Sequence, residues 1–189
     1  MERDSVQIST VRIMHLYVSK WANKMIQRYL DYANYNIWAN ERLINDLLTQ
    51  DDGLLFEELG GNFPTIRATA LHIWHAELGW LSRLKGNGWE TAEVTGFSGS
   101  NRELFSAWQS TSVEFKRFVA SADLEREIQF EHLGVAYSIP SREIVQTVFN
   151  HGSYHRGQVV MMMRLLGSAE ITQTDYIEWV REKARERLS

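Results

Sequence analysis

The sequence predicts an all-α protein: an up-down four-helix bundle with a short C-terminal helix and a small hairpin or extended loop before the fourth helix. Three observations carry this expectation. Apolar residues recur at steps of three, four or seven along four long segments, the repeat of one helix face. Only two prolines occur, Pro64 and Pro140, each just ahead of such a segment, where a missing N–H costs little. Clusters of Asp, Gly, Asn and Ser punctuate the chain between the segments. The 189 residues are read as a single domain, long enough to bury a sizeable core.

The first helix is expected from about Trp21 to Thr49, with Met25, Tyr29, Tyr32, Ala39, Leu43 and Leu47 as its apolar stripe and Asn36 on the same stripe. Asp51-Asp52-Gly53 ends it. Residues 1–20 precede this scheme as an N-terminal extension without an assigned role. The second helix spans about Thr65 to Lys85, with Ile66, Ile73, Trp80 and Leu84 on one face, and closes at Gly86-Asn87-Gly88. The third spans about Arg102 to Ala120, turning Leu104, Phe105, Trp108, Phe115 and Val119 inward, and ends at Ser121–Asp123. Between Glu127 and Ile139 the period changes to alternation on either side of His132-Leu133-Gly134, which reads as a hairpin or extended loop. The fourth helix spans about Pro140 to Leu166 and stops at Gly167, and a short amphipathic helix follows from Thr174 to about Arg187. Helices of this length joined by short connections make an up-down bundle the default architecture.

Composition narrows the function. A net charge of −4 and the absence of any Lys/Arg-rich run argue against a nucleic-acid partner. No segment has the length and apolarity of a transmembrane helix, and the N-terminus lacks the pattern of a signal peptide. The chain has no Cys, which excludes disulfides, thiolate ligands and a cysteine nucleophile and fits a reducing cytoplasm. Seven Trp, seven Tyr and eight Phe fill a core or line a pocket. Trp38, Trp74 and Trp80 are expected in the core, as is the Met161-Met162-Met163 run, and Tyr154 is expected to pack.

The chemistry lies in the histidines. The inward stripe of the fourth helix reads Ile144, Val148, His151, His155, Val159, Met162, Leu166. Four positions separate the two histidines, so they stand one turn apart and about 40° around the helix. Two imidazoles so placed can grip one ion, and an ion satisfies polar groups whose unpaired burial would cost about 1–3 kcal/mol. The alternative is a separate hydrogen-bond partner for each. A third ligand is expected from the second helix, at His72 or His75. Spacing does not choose between them, although Ala68, Ala76 and Gly79 leave space beside His72. His15 and His132 are expected at the surface. Three imidazoles without a fourth protein ligand form an open site of catalytic type. All-nitrogen ligation suits one divalent ion: zinc first by availability, with nickel, iron(II), manganese or copper as other choices. The metalloprotease motif needs Glu directly after the first His, and that position is Gly152.

Tyr35-Asn36-Ile37-Trp38-Ala39-Asn40, Leu71-His72-Ile73 with Glu77 five residues after the histidine, and Asn150-His151-Gly152-Ser153-Tyr154-His155-Arg156-Gly157-Gln158 resemble the DinB-like (YfiT/DinB) superfamily. This is the bacterial damage-inducible family, unrelated to the DNA polymerase of the same name. The resemblance runs from about Tyr29 to Glu182, and Thr174-Asp175-Tyr176 is similar to the family's closing segment. It implies a four-helix bundle holding a metal on His72, His151 and His155, and so selects His72 over His75. It also implies a homodimer and, for some members, thiol-dependent transfer or isomerisation with bacillithiol, mycothiol or glutathione.

The leading expectation is a metal-dependent, thiol-dependent S-transferase acting on a small electrophile, the sulfur coming from the cosubstrate. The alternatives are a hydrolase or lyase using a metal-bound hydroxide, and a non-enzymatic stress-response protein with a structural metal. Asn36 is expected either to bond a metal-bound water or thiol or to be an ordinary buried amide. Glu77 is expected to hold an imidazole N–H, to act as a base, or to pair with an Arg. Arg156, which like Gln158 follows the ligand pair, is expected to bind a thiol's carboxylate or to form an interhelix salt bridge.

Overall fold

The computed structural model describes residues 2–188, with side chains from Lys24 to Leu188. The helices are α1 (Glu2–Leu48), α2 (Ile66–Leu84), α3 (Asn101–Ser121), α4 (Ser141–Leu165) and α5 (Tyr176–Glu186). The expected bundle is present, but its first helix starts near the beginning of the chain rather than near Trp21. Residues 2–20 contain neither Gly nor Pro, so nothing in them stops a helix. A short 3-10 turn, Asp52–Phe56, also went unanticipated; Asp51 caps it by accepting from the Gly53 N–H.

Local chemistry sets the helix ends. Thr65 caps α2 by accepting from the Ala68 N–H. Ser100 and Glu103 form a reciprocal capping box on α3. Gly167 takes a left-handed φ of 93° just past α4. Strand β1 (Glu127–His132) pairs antiparallel with β2 (Val135–Pro140), and Leu133-Gly134 turn the corner with φ of 51° and 76°. Two successive positive φ values are what a two-residue hairpin turn demands.

Helix α1 packs against α3 and α4, and α2 packs against the same two. Around the bundle the order is therefore α1, α3, α2, α4, with α1 diagonal to α2 and α3 diagonal to α4. The links at 49–65 and 122–140 each cross a diagonal, although the first is nearly the same length as the link at 85–100 between the neighbours α2 and α3.

The core follows the predicted stripes of α3 in full: Leu104, Phe105, Trp108, Phe115 and Val119 are all buried. On α1, Ala39, Leu43 and Leu47 are buried, whereas Met25 is exposed. Trp74 is in the core, but Trp80 is only partly buried and lines a surface pocket, and Trp38 meets α5 instead. The methionine run divides: Met163 is core, Met162 half-buried and Met161 exposed, as a helix turning 100° per residue requires. Helix α5 seats Trp179 on Tyr35 and Ala39 of α1, and Glu182 accepts from Trp38 Nε1 and pairs with Arg42. No helix among the described residues is long and apolar enough to cross a membrane.

Candidate metal centre

His72 projects from α2 towards α4, where His151 and His155 stand one turn apart. The ring centroids are 4.8 Å apart for His72–His151, 4.5 Å for His72–His155 and 4.4 Å for His151–His155. Their ligating nitrogens lie within 4.8 Å of one another, and His151 Nε2 is 2.9 Å from His72 Nε2. Three imidazoles so converged could hold one metal ion. The α2–α4 contact makes this possible, because both helices turn their histidine faces to the same seam.

Burial, then the neighbouring His155 and His75, lowers the His72 pKa to about 4; burial, then His155 and His72, does the same for His151. Both rings are therefore neutral at pH 7, the form that ligates metals. His155 Nδ1–H donates to Gln158 Oε1 at 2.6 Å, which leaves its Nε2 lone pair free. Phe63, from the loop before α2, stacks on the His72 ring at 3.9 Å and meets His155 edge-on at 5.8 Å. Beside the histidines opens a cleft of about 330 Å³, lined by Leu59–Phe63 from that loop and by Tyr154, His155, Gln158, Met161, Met162 and Leu165 from α4.

A second polar cluster sits deeper, among all four long helices. Arg156 is fully buried, and its Nη1 donates to Asn36 Oδ1 and Asn40 Oδ1, each at 2.8 Å. Asn36 Nδ2 donates to Glu77 Oε1 at 3.2 Å. Asn40 Nδ2 donates to Ser112 Oγ, which donates to Glu77 Oε2, both at 3.0 Å. Two arms thus join the guanidinium to the carboxylate and close a ring. Trp108 Nε1 adds a third donor to Glu77, and Ser153 Oγ accepts from Arg156 Nη2. Burial pushes the Glu77 carboxyl up to about 7, while Ser112, Trp108, the Arg156 charge and Asn36 pull it back.

The DinB family model matches residues 25–187. The chain belongs to the DinB family. Protein DinB of Bacillus subtilis (strain 168) is 26% identical over 154 residues, spanning 75% of this chain and 87% of that one. Among solved structures, a DinB-like protein from Bacillus cereus ATCC 10987 superposes with a TM-score of 0.60 at 20% identity, covering 74% of this chain and 91% of the other. A DinB-like protein from Bacillus subtilis gives 0.54 at 14%, covering 80% and 98%. At these identities the two structures speak for the DinB fold alone.

Within this member of the DinB family the residues singled out from sequence fall into two groups. His72, His151 and His155 come together. Asn36, Glu77 and Arg156 also come together, but with one another: Glu77 accepts no imidazole N–H, and the guanidinium of Arg156 is spent on side chains of α1 and α4. Glu77 and Arg156 form no direct ion pair; the Asn36 amide stands between the two charges, accepting from Arg156 and donating to Glu77. His75 points elsewhere, its Nε2 3.0 Å from Thr91 Oγ1. Tyr154 is exposed rather than packed, its ring edge-on to His155 at 5.0 Å. His132 is exposed as expected, and His15 lies outside the described side chains. Sequence reasoning missed Phe63, Asn40 and Ser112. Of these only Asn40 carried a signal, four positions after Asn36 and so on the same helix face.

Proposed function

We propose that this DinB-family protein is a metal-dependent, thiol-dependent S-transferase acting on a small electrophile. The observation that supports the reading is the set of three converged imidazoles beside an open, apolar-walled cleft, in a chain without cysteine. When bound, a divalent ion would supply Lewis acidity that lowers a thiol pKa from roughly 8.5 towards neutrality. His72, His151 and His155 would hold it, with zinc the first choice and nickel, iron or manganese the others.

The chain's own residues do the rest. Gln158 keeps the His155 proton on Nδ1 and so presents Nε2. Phe63 fixes the plane of His72 by stacking. Met161, Met162 and Leu165 receive the apolar body of the electrophile and keep water from it. As the sulfur–carbon bond forms, the bond to the leaving group breaks and the leaving group takes the electron pair. The thiol proton departs through the cleft mouth to solvent, because no carboxylate lines the cleft. Asn36, Glu77 and Arg156 act as positioning residues that clamp α4, and with it two of the three histidines, against α1 and α2. A reducing cytoplasm rich in small thiols is the proposed setting, and a homodimer the proposed assembly.

The test is a panel of small thiols with a chromogenic haloarene, on protein loaded with each metal in turn, beside His151→Ala. An S-conjugate that requires both metal and thiol, and disappears in the variant, is expected. Turnover without thiol would make the protein a hydrolase and overturn the proposal. Absence of turnover together with a large chelator-induced fall in Tm would point to a structural ion and overturn it equally.

A further inference from the structure

A second pocket, of about 410 Å³, opens between the last turn of α2, the loop after it and the β-hairpin, and none of the three clustered histidines lines it. Arg83 stands eleven residues after His72, about 16 Å further along α2. Its guanidinium carbon lies 4.2 Å from the Phe130 ring centre, 4.9 Å from Trp89 and 5.1 Å from Trp80. Trp80 meets both Trp89 and Phe130 edge-on. Gly79 lets this wall close: a Cβ there would sit 2.5 Å from the Trp89 ring. His132 and Tyr137, both exposed, form the rim.

The arginine is the unexplained part. Its Nε is buried without a hydrogen-bond partner, and among the described residues it enters no ion pair. Burial draws its affinity for a proton below the ordinary guanidinium value. Aromatic faces hold the charge in place but accept none of its N–H groups. A carboxylate is the acceptor that matches a guanidinium fork, two oxygens against two N–H groups. Phosphate fits less well, since the pocket lies at the C-terminal end of α2, where the helix dipole disfavours a dianion. The walls then set the rest of the ligand: a flat apolar body that packs against the aromatic lining.

We infer that this pocket binds a small aromatic carboxylate, anchored on Arg83 and held among the pocket-lining rings of Trp89, Phe130 and Tyr137. Calorimetry on the full-length, metal-loaded protein tests it, with phenylacetate, its uncharged amide phenylacetamide, acetate and inorganic phosphate as probes. Phenylacetate should bind at least about tenfold more tightly than each of the other three, the usual size of one charge-assisted contact. Arg83→Met should lose that preference, and His151→Ala should keep it, which separates this pocket from a carboxylate bound at the histidines. Should Arg83→Met fail to fold, the wild-type acid-to-amide ratio and the NMR shift of the Arg83 Nε–H on adding phenylacetate still decide. Equal affinity for acid and amide, no binding of either, or a preference lost in His151→Ala would each overturn the assignment.

Discussion

The two polar clusters of this molecule share a stretch of α4, yet they are built in opposite ways. His151 and His155 alternate along the helix with Gly152 and Arg156, so the histidine trio and the Arg–Asn–Glu ring lie back to back. In the ring, both oxygens of Glu77 receive donors and both guanidinium Nη groups of Arg156 find acceptors. In the trio, three half-buried to buried rings bring their ring nitrogens to a common centre, His72 and His151 lie 2.9 Å apart through Nε2, and among the described residues the one further side-chain hydrogen bond is from His155 to Gln158. A closed network positions, because nothing in it is left to offer. An open one binds, because its groups are satisfied only by something that arrives.

Breaking the ring should have the largest effect. At pH 8, Glu77→Ala leaves a fully buried cation uncompensated and should cost about 3–5 kcal/mol, a fall in Tm of roughly 6–20 °C by differential scanning calorimetry. Glu77→Leu combined with Arg156→Met should cost less than the sum of the single changes, as a double-mutant cycle would reveal. Additive losses would show that the ring is not a unit.

Loosening the trio should act on metal affinity instead. Gln158→Ala frees the His155 tautomer and should weaken metal binding about 10–100-fold while leaving the metal-free Tm nearly unchanged. A competitive chelator titration measures the first and calorimetry the second.

The two clusters should also answer pH with opposite sign. The folded Glu77 has a pKa of about 7 against an unfolded value near 4.5, so the folded chain binds the proton more tightly and loses stability as pH rises through that window. His72 and His151 have folded values of about 4 against 6.5. There the unfolded chain binds protons first, and stability falls as pH drops from 6.5 through 4. In metal-free protein the two limbs overlap and oppose each other between about 4.5 and 6.5. Glu77→Gln should strip away the falling limb, leaving stability that rises from pH 4 to 6.5 and then levels. A series of urea melts across pH 4–8 would test this, and an unchanged profile in Glu77→Gln would count against the raised carboxyl.

The smallest change expected is at Gly152. An added Cβ would lie 3.0 Å from Arg156 Nη1 and 3.2 Å from Asn36 Oδ1, so Gly152→Ala must push on the ring. It also gains about 0.8–1 kcal/mol of helix propensity. The two nearly cancel, and a Tm change within about 2 °C is expected.

How legible was this division in the sequence? The helices were, because their stripes repeat over many turns. The start of α1 was not, since the residues before Trp21 neither stop a helix nor extend the stripe. The diagonal order of the bundle was hidden too, as loop length alone does not say which neighbour a helix meets. His151 and His155 announced themselves by sitting on a core stripe. Choosing His72 needed the family resemblance: His75, three positions on, is only 60° round the helix, and its partner Thr91 lies in a loop. The ring stayed invisible because its polar residues come from four helices, two from α1 and one each from α2, α3 and α4. Each of these looks ordinary alone, and Asn36, Glu77 and Arg156 drew attention one by one, each with a catalytic and a structural role in view, without the ring that joins them.

The seat of α5 has a consequence for the far end of the chain. Tyr35 carries the Arg156 guanidinium at 5.5 Å, meets Trp179 at 6.3 Å, and donates its hydroxyl proton to the Thr174 carbonyl at 2.9 Å. The segment from Thr174 to Leu188 therefore works as a cork in the back of the bundle. Cutting the chain before Thr174 would let water reach the buried cation from behind, and damage at the tail would be felt at the histidines on the other side.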